Sequence, residues 1–341
     1  MRCFFLEEKF KDYLTPYKYG KPVLAPSGVE GEFDRFGVDN LRIVSHGGKF
    51  YMFYIGFDGT GYLTALAVSD DLLHWEKKGI VLDKGSKNPW DTNGRAVSSL
   101  FCNPDLYGKQ ELITYDGKYI MFYHAYPGKG YEVGAAANGL AWSTDENLLE
   151  WHCEDAPVFE KGKSGEWDGD GLYSARIIKH DDKFCLYYTG KKDTADLWNE
   201  QIGFAFSDNL HDWKRYEKNP ILKVSPGCWD SVFTSGGQLL FDSRKKRWVM
   251  FYFGFDLKRA QEGIAVSDDM LNFEKCPEPI ITCGKDGEID SKYAHKPCVI
   301  YHDGMLWHFY CAVRPTVTDD EKRRFGNEYR CITVARSKKF E

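Results

Sequence analysis

LAVSDDLLHWEKKGIVLDKG, residues 66–85, leads to Trp90-Asp91, and the same phrase returns along the chain. LAWSTDENLLEWHCEDAPVFEKG (140–162) leads to Trp167-Asp168, and FAFSDNLHDWKRYEKNPILKVSPG (204–227) leads to Trp229-Asp230. IAVSDDMLNFEKCPEPIITCGKDG (264–287) leads to Ile289-Asp290. KPVLAPSGVEGEFD (21–34) has only the second half of the phrase, and VARSKKFE (334–341) has only the first. The two ends of the sequence together therefore make one more repeat.

The aspartates that close each phrase, Asp34, Asp91, Asp168, Asp230 and Asp290, are 57, 77, 62 and 60 residues apart. After each comes a moderately apolar run, then a turn and an aromatic segment. GGKFYMFYIGF (47–57), DGKYIMFYHAY (116–126) and RKKRWVMFYFGF (244–255) are examples. Alternating β-formers broken by Gly, Asp and Lys predict hairpins. The third strand ends in the A-x-S phrase, and the Pro-Val-Leu type segment is expected as the fourth.

A period near 60 with four antiparallel strands and no helical periodicity predicts an all-β chain, a five-bladed β-propeller. Its last blade is closed by the N-terminal strand, which removes an exposed sheet edge. Residues 1–19 read as an N-terminal extension and 20–341 as a single domain. A WD40-type ring has a period of about 40–45 residues with Trp-Asp closing a strand; here Trp-Asp opens a unit.

A formal net charge of −6 speaks against nucleic acid as partner. An aromatic content of 16% suits strands and also suits sugar-binding walls. The ten cysteines lack metal-type spacing and read as buried free thiols. No apolar run approaches the ~18 residues that span a bilayer, and MRCFFLEEKFKDY carries acids within its apolar stretch, so a cytoplasmic protein is expected.

The A-x-S-x-D-x-L-x-x-W-like phrases at Ser69, Ser143, Ser207, Ser267 and Ser337, with the Pro-Ile-Leu segments and DGK-aromatic hairpins, resemble the propeller glycoside hydrolases. The resemblance is to families 43 and 32, and more distantly to family 130, over residues 20–341. It implies a glycosidase acting on short oligosaccharides, furanoside or pyranoside, with acids at the mouth of a central funnel. A glycoside phosphorylase and a non-catalytic carbohydrate-binding propeller are the alternatives.

An aspartate repeated in every unit reads as structural, an acceptor for turn amides. Five residues further on the units disagree: Asp39, Ala96, Tyr173, Ser235 and His295. Resemblance to family 43 makes Asp39 the general base, although Asn40 stands where that family has proline. It makes His295 a funnel histidine and Asp170 a second aspartate, with Tyr173 as a sugar contact. The Glu-Gly-Pro and Glu-Cys motifs of the general acid are missing. Glutamates recur at third-strand starts, Glu132, Glu200, Glu262 and Glu328, where pairing with Arg42, Arg95 or Arg176 is the structural reading. Glu200, beside Trp198, is taken as the acid because a neighbouring indole raises a carboxyl pKa; Glu262 is the reserve. A phosphorylase would need cations, and Arg95, His295, Lys296 and Arg314 are the candidates. No cofactor is required; the family 43 resemblance allows calcium near His295.

Overall fold

The computed structural model describes residues 8–193 and 198–340. It is built mostly of antiparallel strands, with a 3-10 turn at Glu8–Tyr13 and one short α-helix at Asp319–Phe325. No helix among the described residues is long and apolar enough to cross a membrane.

One four-stranded sheet runs Gly37–His46, Lys49–Phe57, Tyr62–Ser69, Glu76–Leu82 in chain order. The later strands repeat that order, for example Gly171–His180, Lys183–Asp193, Trp198–Ser207 and the short outer strand Lys214–Arg215. Aromatic and β-branched residues alternate along them. Tight turns at Gly47-Gly48, Asp116-Gly117, Asp181-Asp182 and Asp303-Gly304 take positive φ at both central residues, which matches the strand twist of a two-residue hairpin.

The repeated phrase is a stop signal at the end of the third strand. Ser69 Oγ accepts from the Asp71 and Leu72 amides, and Asp71 Oδ1 accepts from Leu73 and His74. Asn209 and Asp269 receive amides in the same way. The chain then turns back as the outer strand. In the first unit Ile80-Val81-Leu82 ends the outer strand Glu76–Leu82, as expected. In three later units the outer strand forms earlier, directly after the aromatic residue of the phrase, and the corresponding segments add single bridges, Phe159 to Asn138, Leu222 to Ile202 and Ile281 to Glu262.

The repeated aspartates are structural, but their partners are cations rather than turn amides. In each unit the alanine of A-x-S faces one outer-strand residue: Ala67 faces Lys77, Ala205 faces Arg215, and Ala265 faces Lys275. Those three cations pair with buried Asp34, Asp168 and Asp230 at 2.5, 2.8 and 2.6 Å. Ala335 faces Lys18, which pairs with Asp290. The N-terminal segment thus lies along Glu328–Arg336, with Leu24 bridging Ile332. Pairing begins at Tyr17, within the stretch read as an extension, and Phe10 and Tyr13 are buried too.

Neighbouring sheets pack face to face, as in the cluster joining Val44, Phe53 and Leu66 to Val97 and Met121. At one end the third strand of a sheet meets the first strand of the next in parallel single pairings, Glu200 to Phe233 and Ala260 to Tyr293. The starts of inner strands and third strands therefore gather on one face.

Candidate active site

The register bears on the five positions where the units disagree. Asp39 faces Ile55, Ala96 faces His124, Tyr173 faces Thr189, Ser235 faces Phe253 and His295 faces Cys311. Each partner directly follows the equivalent tyrosine of the second strand, so the five positions are equivalent in space as in sequence. A bulge follows in every inner strand. Bulges re-aim side chains beside functional sites. Here Asn40, Gly236 and Lys296 take positive φ at them, and all three face a cavity. A left-handed lysine costs about 1–2 kcal/mol, which the packing around Lys296 offsets.

The cavity has a volume of about 300 Å3. Tyr62, Tyr126, Tyr173, Trp198 and Phe233 supply aromatic wall, and Glu132, Glu200, His295, Lys296 and Arg330 supply charge and polarity. Trp198 stacks on Tyr173 with ring centroids 6.1 Å apart and carries Lys191 Nζ 3.7 Å over its face. The hydroxyls of Tyr62 and Tyr173 and the indole nitrogen of Trp198 are buried and lack a partner among the described residues. Buried polar groups of this kind suit a ligand rich in hydroxyls.

Two carboxylates share this cavity. Glu200 is 6% exposed; burial, then the charge of Glu132, pushes its carboxyl up to about 7. Glu132 comes from the loop between strands Lys118–Ala125 and Ala137–Ser143 and lies 3.8 Å from Lys296 Nζ. Lys296 and Arg330 each reach the same oxygen of Asp39 at 3.0 Å. Burial alone would raise the Asp39 carboxyl; Lys296, His295 and Arg330 outweigh it and hold it far below the usual carboxylate range. Burial drives the His295 imidazole down to about 3, against the pull of Asp39.

Of the residues singled out in the sequence, Tyr173, Glu200, His295 and Lys296 line the cavity. Asp39 lines an adjoining groove of about 650 Å3 that shares Tyr62, Tyr131 and Arg330 with it. Three others lie apart. Asp170 accepts from the Asp193 amide at 3.0 Å. Arg95 is bound to Asp91, because Cys153 stands where the other outer strands carry a cation. Arg314 is held by Glu321 of the helix at 2.5 Å. Glu262 pairs with His308 in full burial, and Glu328 with Lys292 and Arg330. Neither Arg42 nor Arg176 takes up a third-strand glutamate; both sit deeper, on backbone carbonyls.

Glu132 and Arg330 were not singled out as site residues. The sequence groups Glu132 with the recurrent third-strand glutamates, which read as structural; it lies instead ahead of that strand, in the loop before Ala137–Ser143. Arg330 precedes the A-x-S phrase of the last unit and has no distinguishing motif.

Asp39, His295 and Cys311 lie close enough to share a cation. Calcium wants six to eight oxygens, whereas this set offers one carboxylate already holding two cations, an imidazole and a thiol. The residues do not fit it.

The glycosyl hydrolases family 32 N-terminal domain matches residues 108–279, half of the chain. A 1,2-β-oligomannan phosphorylase of Thermoanaerobacter sp. (strain X514) is 33% identical over 310 residues, covering 84% of this chain and 71% of that protein. A solved structure described as "Glycoside hydrolase" superposes with a TM-score of 0.81 at 29% identity, over 99% of this chain and 96% of its own. A thermostable family-43 glycoside hydrolase shares the fold with a TM-score of 0.63 at 21% identity, over 91% of this chain and 92% of its own. On the sequence matches and the carboxylate-bearing cavity, the chain belongs to the glycoside hydrolase family 32-type propellers, a family of carbohydrate-active enzymes.

Proposed function

We propose that the chain is a five-bladed propeller glycosidase, closed by its N-terminal strand, that hydrolyses a terminal glycosidic bond of a short oligosaccharide. The observation that carries this is Glu200, a buried carboxyl held near 7 in an aromatic cavity beside a second carboxylate. Hydrolysis needs one carboxylic acid to protonate the leaving oxygen and one carboxylate to activate water or attack carbon. Glu200 is the acid, because a group that titrates near neutrality still holds its proton at working pH. Glu132 is the second carboxylate. Asp39 is a positioning residue: two cations hold it ionised, which weakens it as a base, and it fixes Lys296 and Arg330 at the cavity edge. Tyr173, Trp198 and His295 contact the bound sugar, and the groove beside Asp39 takes the rest of the oligosaccharide.

Phosphorolysis is the second reading, favoured by the oligomannan phosphorylase relative and by Lys296 and Arg330 in the cavity. Both cations are already engaged, Lys296 by Asp39 and Arg330 by Asp39 and Glu328. An incoming phosphate would have to compete with them, which favours water as the acceptor. The test is a panel of aryl arabinofuranoside, xyloside, galactofuranoside, fructoside-type and mannoside donors, with β-1,2-linked mannobiose, each with and without inorganic phosphate. Turnover without phosphate supports hydrolysis. Turnover only with phosphate, releasing a sugar phosphate, would replace it by phosphorolysis.

A further inference from the structure

Below the cavity, on the inner strands, two arginines lie side by side, and no acid among the described residues pairs with either. Arg42 is 3% exposed and Arg176 is 6% exposed. Arg42 donates to the carbonyls of Leu41 and Ser98 and, at 2.8 Å, to Ser174 Oγ. Arg176 donates to the Pro297 carbonyl at 3.1 Å, while its Nε is buried with no hydrogen-bond partner among the described residues. The titratable neighbours that act on them are each other and the thiols of Cys298 and Cys102. Guanidinium groups do not give up their protons in proteins, so two like charges stand together in the interior. Buried charge of this kind calls for a counter-charge. Burial drives the Cys102 thiol up to about 12 and raises Cys298 as well, so neither supplies it at neutral pH.

Both arginines line a small space of about 30 Å3, with Gln110, Gln238, Cys102 and Cys298, and no carboxylate is among its walls. That is room for one water-sized occupant. It is too small for phosphate or sulfate. Water would satisfy the orphaned Nε but would leave the charges uncompensated.

We propose that this space is a binding site for a small monovalent anion of the size of chloride, held between Arg42 and Arg176. The site is independent of the catalytic reading: it stabilises the packing of inner strands from different units, and it takes no part in the reaction. The anion joins Gly37–His46 to Gly171–His180, two strands that no ladder of hydrogen bonds connects.

Crystals of the unaltered protein grown in sodium bromide test this directly. An anomalous peak between the two guanidinium groups is expected; water alone at that position would overturn the proposal. In solution, the melting temperature should be about 2–4 °C higher in sodium chloride than in sodium gluconate at equal ionic strength, the size expected for a ligand that binds only the folded state. Equal melting temperatures would also overturn it. Arg176→Gln should remove the difference between the two salts. If that variant does not fold, the bromide map on the unaltered protein still decides.

Discussion

Lys18 Nζ lies 2.6 Å from Asp290 Oδ2, across 272 positions of sequence. The same contact recurs between Lys77 and Asp34 and between Lys275 and Asp230, where both partners belong to one continuous stretch of chain. The N-terminal segment thus supplies to the last unit what each other outer strand supplies locally. Asp290 is 3% exposed in its side chain and also accepts from the Tyr310 hydroxyl at 2.9 Å. Lys18→Met should cost about 1–3 kcal/mol, the cost of leaving a buried acceptor under-satisfied. Lys275→Met should cost the same within error, since the geometry is the same. Chemical denaturation of the two variants checks this; a neutral Lys18→Met beside a damaging Lys275→Met would mean that the N-terminal contact bears no load.

Removing residues 1–26 goes further. It uncovers the edge of Glu328–Arg336, strips Phe10 and Tyr13 from the cluster with Leu240 and Phe251, and leaves Asp290 unpaired. The expected product is aggregated or unfolded protein, because an open apolar edge pairs with other chains. A monodisperse truncated monomer of unchanged melting temperature would contradict the closure.

Asp39→Asn separates a positioning residue from a catalytic one. The substitution leaves Lys296 and Arg330, both largely buried, facing an amide in place of a charge. Breaking such a pair costs roughly 3–5 kcal/mol. Stability and turnover should therefore fall together, with the loss of turnover partly in KM as the cavity edge relaxes. Unchanged melting temperature with a ~100-fold loss confined to kcat would instead make Asp39 a general base.

Much of this was written in the repeat. The turn serines, the hairpin glycines and the five equivalent inner-strand positions could all be aligned from text alone, because a repeated unit states each structural requirement several times. The cations opposite the repeated aspartates were also present, in HWEKK, DWKRY and NFEKC, but a lysine two residues past an aromatic reads as solvated surface until register shows which strand it faces. Arg95 looked like a ligand for substrate because nothing in the sequence shows that Cys153 has left Asp91 without its usual partner. Glu132 was harder still. Its place among four recurrent glutamates makes it read as structural, and only the folded loop brings it into the cavity with Glu200.

Glu200→Gln should abolish turnover of oligosaccharides, whose leaving oxygen needs a proton, and yet stabilise the protein. The Glu200 carboxyl is raised from an ordinary 4.5 to about 7 by burial and by Glu132. The folded state then binds this proton more tightly than the unfolded state between those values, so stability falls as pH rises from about 4.5 to 7 and stays lower above. Glutamine removes the penalty. The variant should match the wild type in melting temperature near pH 4.5 and exceed it at pH 8 by the equivalent of about 3 kcal/mol. A higher wild-type melting temperature at pH 8 would show that Glu200 is not held neutral.

Glu132→Gln tests how the two carboxylates act on each other. Glu132 is one of the causes that raise Glu200, and burial is the larger. Removing its charge should lower the Glu200 pKa while leaving it above the ordinary glutamate value. The acid form of Glu200 is the active one, so kcat/KM of the wild type should decline as pH rises through about 7. In Glu132→Gln that alkaline limb should move to lower pH, while the maximal rate falls by about 100-fold or more through loss of the second carboxylate. A donor with a good leaving group needs little protonation, so on an aryl glycoside the limb should flatten in Glu200→Gln. In Glu132→Gln the rate on the same donor should stay low, because attack on carbon or activation of water is still missing. A Glu132→Gln enzyme with an unmoved limb and near-normal rate would place the second carboxylate elsewhere, and Asp39 would then be the group to examine.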